Sequence, residues 1–171
     1  LRNFYPTGLV QWVIAQGGWN PRRGFEAMAD EYFATAFGPV AKEVRAYLEG
    51  FARVTGRPPH AKRWWQDLSQ AKARRVVGYL REQGGHLQSL GRRVKERVHR
   101  QALAILSHHH RLHAMLWEAI LAHECGDDAK AKGHFDRAEA FLRRTERTLH
   151  QYANFERLLL YLSAIRRDIL V

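Results

Sequence analysis

A chain of 171 residues, 46% of them apolar, is long enough to bury a core, since about 70% of the unfolded surface is hidden at this size. Lys and Arg number 28 against 17 acids, a formal charge of +11 that suits nucleic acid or an anionic surface, or one half of a larger neutral protein. The lone cysteine, Cys125, excludes an internal disulfide and any Cys-x-x-Cys site, in keeping with a reducing compartment, and no apolar run reaches the ~20 residues of a membrane span.

The opening residue is Leu1 and LRNFYPTG is no start signal, so the chain is expected to continue a longer one. Thr7 reads as the N-cap of a short apolar helix, Gly8 to Gln16, closed by Gly17-Gly18. Trp19-Asn20-Pro21 follows as a turn. A second helix is predicted from about Gly24 to Phe37, with Phe25, Met28, Ala29, Tyr32, Phe33 and Ala36 forming its inward stripe. Gly38-Pro39 ends it and opens a third, in which Val40, Val44, Tyr47, Leu48 and Phe51 face the core until Gly56.

Beyond the linker Arg57-Pro58-Pro59-His60, a fourth helix is predicted from about Trp65 to Gln83, closed by Gly84-Gly85. A fifth and long one runs from about His86 to Glu124. Its seam is Leu87, Leu90, Val94, Val98, Ala102, Ile105, His109, Leu112, Leu116 and Ala119, and a helix this long, roughly 55–60 Å, needs partners along its length. Cys125-Gly126-Asp127 stops it and caps a sixth helix to about Tyr152, with Phe135, Ala138, Leu142, Thr145 and Leu149 inward. A seventh begins near Asn154 and carries Leu158, Leu159, Tyr161, Leu162 and Ile165. No strand pattern of useful length and no internal repeat is visible.

The N-terminal third carries a recurring pattern. It consists of Tyr5-Pro6-Thr7-Gly8-Leu9-Val10-Gln11-Trp12, Trp19-Asn20-Pro21, Asp30-Glu31-Tyr32-Phe33, Phe37-Gly38-Pro39-Val40-Ala41 and Arg45-Ala46-Tyr47-Leu48. It resembles the end of the barrel and start of the helical tail in uncharacterised bacterial glycoside-hydrolase-like proteins, a domain-of-unknown-function family distantly similar to α-glucuronidases and hexosaminidases. The resemblance covers about residues 5–55. It implies a (β/α)8 barrel whose catalytic carboxylates lie upstream, with Gly8–Gln16 as the last barrel helix. Arg2 to Tyr5 would then be the loop after the last strand, at the barrel face where active sites form. Asn3 and Tyr5 would there line a sugar subsite, one by hydrogen bonding and one by stacking. Trp19 would lie at the opposite face and pack.

The densest chemistry is Ser107-His108-His109-His110-Arg111-Leu112-His113. His109 and His113 are one helical turn apart, a spacing that can present two imidazoles to one metal, but a structural zinc needs four ligands and no HExxH pattern is present. Solvated or core-edge histidines are the simpler expectation. Glu26, Asp30 and Glu31 share one helix and do not frame a sugar, while Glu124, Asp127 and Asp128 read as helix-end and capping residues. Arg92 to Arg100 places its charges on an outward face. Trp64-Trp65 reads as a hydrophobic anchor at a helix entry. Neither glycine pair joins a strand to a helix, so no phosphate loop and no cofactor motif is read.

The sequence therefore predicts an all-α fold of helical hairpins and an antiparallel bundle with one long central helix, as a fragment of a larger (β/α)8-barrel protein. Residues 1–56 would be the last barrel helix and a connector, and 60–171 the bundle. The expected role is non-catalytic: to buttress the upstream barrel of the same chain, with a homodimer face on the exposed length of the long helix. Carbohydrate would be met only through that barrel, without membrane contact. The alternative is a free-standing basic bundle binding nucleic acid or another acidic polymer, with affinity falling steeply as salt rises.

Overall fold

The computed structural model describes residues 8–56 and 68–170, and these form seven α-helices and one 3-10 turn. The helices are α1 (Gly8–Trp19), α2 (Phe25–Phe37), α3 (Ala41–Thr55), α4 (Gln70–Arg93), α5 (Arg97–Glu124), α6 (Asp128–Leu149) and α7 (Phe155–Ile169), with the 3-10 turn at Gly38–Val40. No strand occurs among the described residues, so the all-α expectation holds. No helix among them is long and apolar enough to cross a membrane. Thr7, Trp64 and Trp65 lie outside the described residues.

Side-chain oxygens satisfy orphan N–H groups at three helix starts. Ser69 accepts from the Lys72 amide at 3.3 Å, Asp127 from Lys130 at 2.9 Å and Asn154 from Arg157 at 3.1 Å. At the end of α5 the Gly126 amide bonds the His123 carbonyl and the Asp127 amide bonds that of Ala122. This Schellman closure needs the left-handed backbone that Gly126 supplies at φ 79°. The stop predicted at Cys125-Gly126-Asp127 is thus observed.

Two predicted stops are not. Helix α1 runs through Gly17-Gly18 to Trp19, and α4 runs through Gly84-Gly85 to Arg93. A helical glycine costs only about 1 kcal/mol, which tertiary packing outweighs. What ends α1 is Pro21, which disfavours helical backbone at Asn20.

The predicted helix His86 to Glu124 is accordingly two elements. Its first part belongs to α4, and the chain turns at Val94–Glu96, where Val94 is extended at φ −101°, ψ 117°. No glycine or proline marks this turn. Leu87, Leu90 and Val94 are buried on α4 as their spacing predicts, but Val98, the next seam residue, is 57% exposed. Phe25 of the predicted α2 stripe is likewise exposed, because it heads its helix before α3 can cover it.

The buried side chains form two clusters strung on the α4–α5 hairpin. One joins the first half of α4 and the second half of α5 to α6 and α7, around Trp117, Ile120, Phe135, Leu142 and Ile165. The other joins the far end of that hairpin to α2 and α3, around Phe33, Val44, Tyr47, Leu90 and Leu103. Each such side chain contributes about 1.5–3 kcal/mol by leaving water. The hairpin is antiparallel: Gln70 at the start of α4 donates to the Cys125 Sγ at the end of α5, at 3.0 Å. Helix α5 lies between α4 and α6, which cover its middle and C-terminal half, while Arg97, Val98, Arg100 and Ala104 near its start stay exposed.

At the surface Arg45 of α3 reaches three carboxylates, Glu26 and Asp30 of α2 at 2.6 Å each and Glu49 at 2.7 Å. Exposed pairs of this kind add little stability singly, but three on one guanidinium hold α2 and α3 in one relative setting.

Candidate functional site

The middle of α5 lies where the two apolar clusters meet, and it is there that the sequence places its histidines. His108, His109 and His110 are buried at 5%, 4% and 8% exposure, and His113 is half-buried beside them. They point in three directions, as the 100° step of a helix requires. His108 turns to α6, where Nε2 lies 2.7 Å from the Thr145 hydroxyl and the ring stacks on Phe141. Thr145 gives its proton to the Phe141 carbonyl at 2.8 Å, so Nε2 of His108 is the donor in that pair. His110 turns to α3 and α4, with Nδ1 3.2 Å from the Tyr47 hydroxyl and Nε2 over Gly84. His109 and His113 share a face, their ring centres 4.2 Å apart and both edge-on to Phe51.

Burial holds these rings neutral. Desolvation, with Arg111 adding to it, lowers His108 to about 4. Desolvation and then His110 lower His113 to about 4, and His109 is held well below its ordinary value by burial and by its three histidine neighbours. His110 is lowered by burial alone.

The two candidate metal ligands, His109 and His113, are thus brought together. No group of three or more His, Cys, Asp or Glu among the described residues is arranged to hold a metal. The pair packs as two adjacent rings against Phe51. Asn3 and Tyr5, the predicted sugar-subsite residues, lie outside the described residues.

The carboxylates considered for glycosidic chemistry have other partners. Glu26 and Asp30 are tied to Arg45, and Glu31 to Arg23. Asp127 caps α6, and Asp128 meets His123 at 2.7 Å. A polar hollow between α4, α5 and α6 gathers Arg81, Glu118 and His134, with both Arg81 and His134 3.2 Å from Glu118. Arg137 approaches the same His134 nitrogen at 2.7 Å, and because the guanidinium can only donate, that nitrogen accepts from Arg137 and has no proton for Glu118. These contacts brace α4, α5 and α6 together, with Cys125 at the rim of the hollow.

No protein-family model matches the chain, and neither does any curated protein or solved structure. The site must therefore be read from its own geometry.

Two features stand out that sequence reasoning missed. The first is a cavity of about 370 Å³ bounded by α1, α2, α3, α5 and the turn before α7. Trp12, Tyr32, Ala36, Leu48, Ala102, Ile105, His109 and Tyr152 are among its walls, and none of the described residues lining it is Asp, Glu, Lys or Arg. No local signal announces such a space, because its walls come from five separate stretches of chain. The second is α1 itself. It carries no charged residue and only Gln11 and Gln16 as polar side chains, yet Val10 is 56%, Ile14 69% and Trp19 92% exposed, with Phe25 of α2 close in sequence. The packed position predicted for Trp19 is therefore not found within the described residues.

Proposed function

We propose that this chain is a non-catalytic helical support of a carbohydrate-active, glycoside-hydrolase-like protein, in which α1 docks the bundle on the catalytic barrel. The observation that carries the proposal is the bare apolar face of α1. A helix without a charged residue is suited to burial, and α2 covers one side of it. The likeness of residues 5–55 to the barrel end of such proteins supports a barrel as the cover. The same face also suits a second copy of the chain.

The test is the mass of the native gene product, read with an antibody raised against this segment. A product several times the 19.9 kDa of this chain is expected. A native product of about that mass would sink the buttress reading.

The turn between α4 and α5 supports a second reading. It gathers exposed Arg92, Lys95, Arg97 and Arg100, with Arg93 paired to Glu43 at 2.6 Å, around the start of α5, where the N-cap Glu96 makes no side-chain cap. That is a cationic corner beside the positive end of a helix dipole, suited to a phosphate polymer. It becomes the leading reading if the native product is small.

A further inference from the structure

The hollow between α4, α5 and α6 gathers an excess of positive charge. Among the described residues, Arg74 and Arg81 of α4 and Lys130 of α6 line it, against the carboxylates of Glu118 and Asp127. Arg74 and Arg81 are seven residues apart, and Lys130 and His134 four, so each pair stands on one face of its helix. The two faces border the same space of about 260 Å³.

Both carboxylates are engaged. Glu118 takes Arg81 at 3.2 Å, and Asp127 caps α6 by accepting from the Lys130 amide at 2.9 Å. The Arg74 guanidinium and the Lys130 ammonium have no hydrogen-bond or ion-pair partner among the described residues. They come from opposite walls, so one guest with two negative charges can answer both.

His134 adds a donor without adding charge. Its ring is 6% exposed and lines the hollow. Burial, and after it Arg137, lower its affinity for a second proton, so the ring is neutral. Because Nδ1 accepts from Arg137, the proton of the neutral ring is on Nε2. No described group accepts from that N–H, and Nε2 is not sealed from water. Two cations and a neutral N–H are a set that matches the several lone pairs of a tetrahedral oxyanion. Leu121 and Ala122 also border the space and can meet a small organic body.

We infer that this hollow binds a small dianion with the charge and oxygens of a phosphate group, held between Arg74 and Lys130 and accepting from His134. The site is separate from the bare face of α1 and from the cationic turn between α4 and α5, whose residues do not line it.

The probes are inorganic phosphate and phenyl phosphate, titrated at mildly alkaline pH, where both carry two charges, and at constant ionic strength. Amide chemical shifts from Leu121 to His134 should move saturably. Arg74→Gln and, separately, Lys130→Gln alter exposed side chains, and each should weaken binding about tenfold or more. Lys132→Gln removes the same charge from a residue outside the hollow and should leave binding unchanged. Acetate, with one charge, should bind more weakly than either probe. Phenyl phosphate binding tighter than phosphate assigns the site to a phosphate monoester, and equal or weaker binding assigns it to the free ion. Absence of saturable shifts around the hollow overturns the inference, as does full affinity in both hollow variants. Equal loss in Lys132→Gln reduces the effect to net charge and overturns it as well, and acetate binding as tightly as phosphate overturns the dianion.

Discussion

A buried imidazole is a base that folding has weakened. His108 and His113 sit near 4, and His109 and His110 are lowered as well, against about 6.5 in an unfolded chain. The charges bearing on them, Arg111 and one another, are cationic when present, so all oppose protonation. Between pH 6.5 and 4 the unfolded chain therefore holds more protons than the folded one, and stability falls as pH falls. Above 6.5 this contribution is fully present, and below about 4 its loss is complete for His108 and His113. Helicity at 222 nm should show acid unfolding within that window, with a midpoint that moves to lower pH in His109→Leu. A helix signal that is flat from pH 7 to 4 would contradict the burial of these rings. The sequence showed that the histidines share a helix, and their spacing showed which of them share a face. It did not show that all three faces of α5 are covered at that point, because cover is a property of α3, α4 and α6.

At the scale of elements, glycine behaved in two ways that composition does not separate. Gly126 and Gly38 hold backbone that side-chain-bearing residues avoid, at φ 79° and 52°. A methyl group on Gly38 would also strike the His99 ring. Gly38→Ala should cost roughly 1–3 kcal/mol in denaturant unfolding. Gly85 is different: it is helical, and a methyl group there would meet nothing within 4 Å. Gly85→Ala should therefore stabilise by about 0.5–1 kcal/mol, simply by restricting the unfolded chain. A methyl group on its neighbour Gly84 would stand 3.2 Å from His110 Nε2, so Gly84→Ala should gain less. This is why both Gly-Gly pairs misled the placement of helix ends, while Asp127, Asn154 and the step before Pro21 did not. A cap is local chemistry legible from a few residues, whereas Gly17, Gly18 and Gly85 are simply tolerated inside their helices and Gly84 lies close under His110, which is legible only once α5 is in place. The turn at Val94–Glu96 had no local signal at all.

For the whole molecule, the consequential fact is that both apolar clusters hang on one hairpin. Neither α4 nor α5 can melt without uncovering parts of each cluster. Unfolding followed by tryptophan emission, to which buried Trp117 of one cluster contributes, and by far-UV circular dichroism should therefore give coincident transitions. Separated midpoints would mean that α2 and α3 come away first. The fold class and most helices were readable from period and punctuation. The cavity was not, since Trp12, Leu48, Ala102 and Tyr152 approach only through tertiary packing. The bare side of α1 was legible in part, as a helix without a charged residue.

The histidine layer also settles a question of alignment. Leucine, valine and alanine contacts are interchangeable, so an apolar helix can slide one turn, about 5.4 Å, along its neighbours and find similar contacts again. His108 on Thr145 and His110 on Tyr47 are not interchangeable. A slip would break both bonds together and leave two imidazoles facing hydrocarbon. The polar belt between the two clusters thus acts as a vernier, fixing where α5 stands against α3 and α6, while the leucines around it supply the adhesion but not the count.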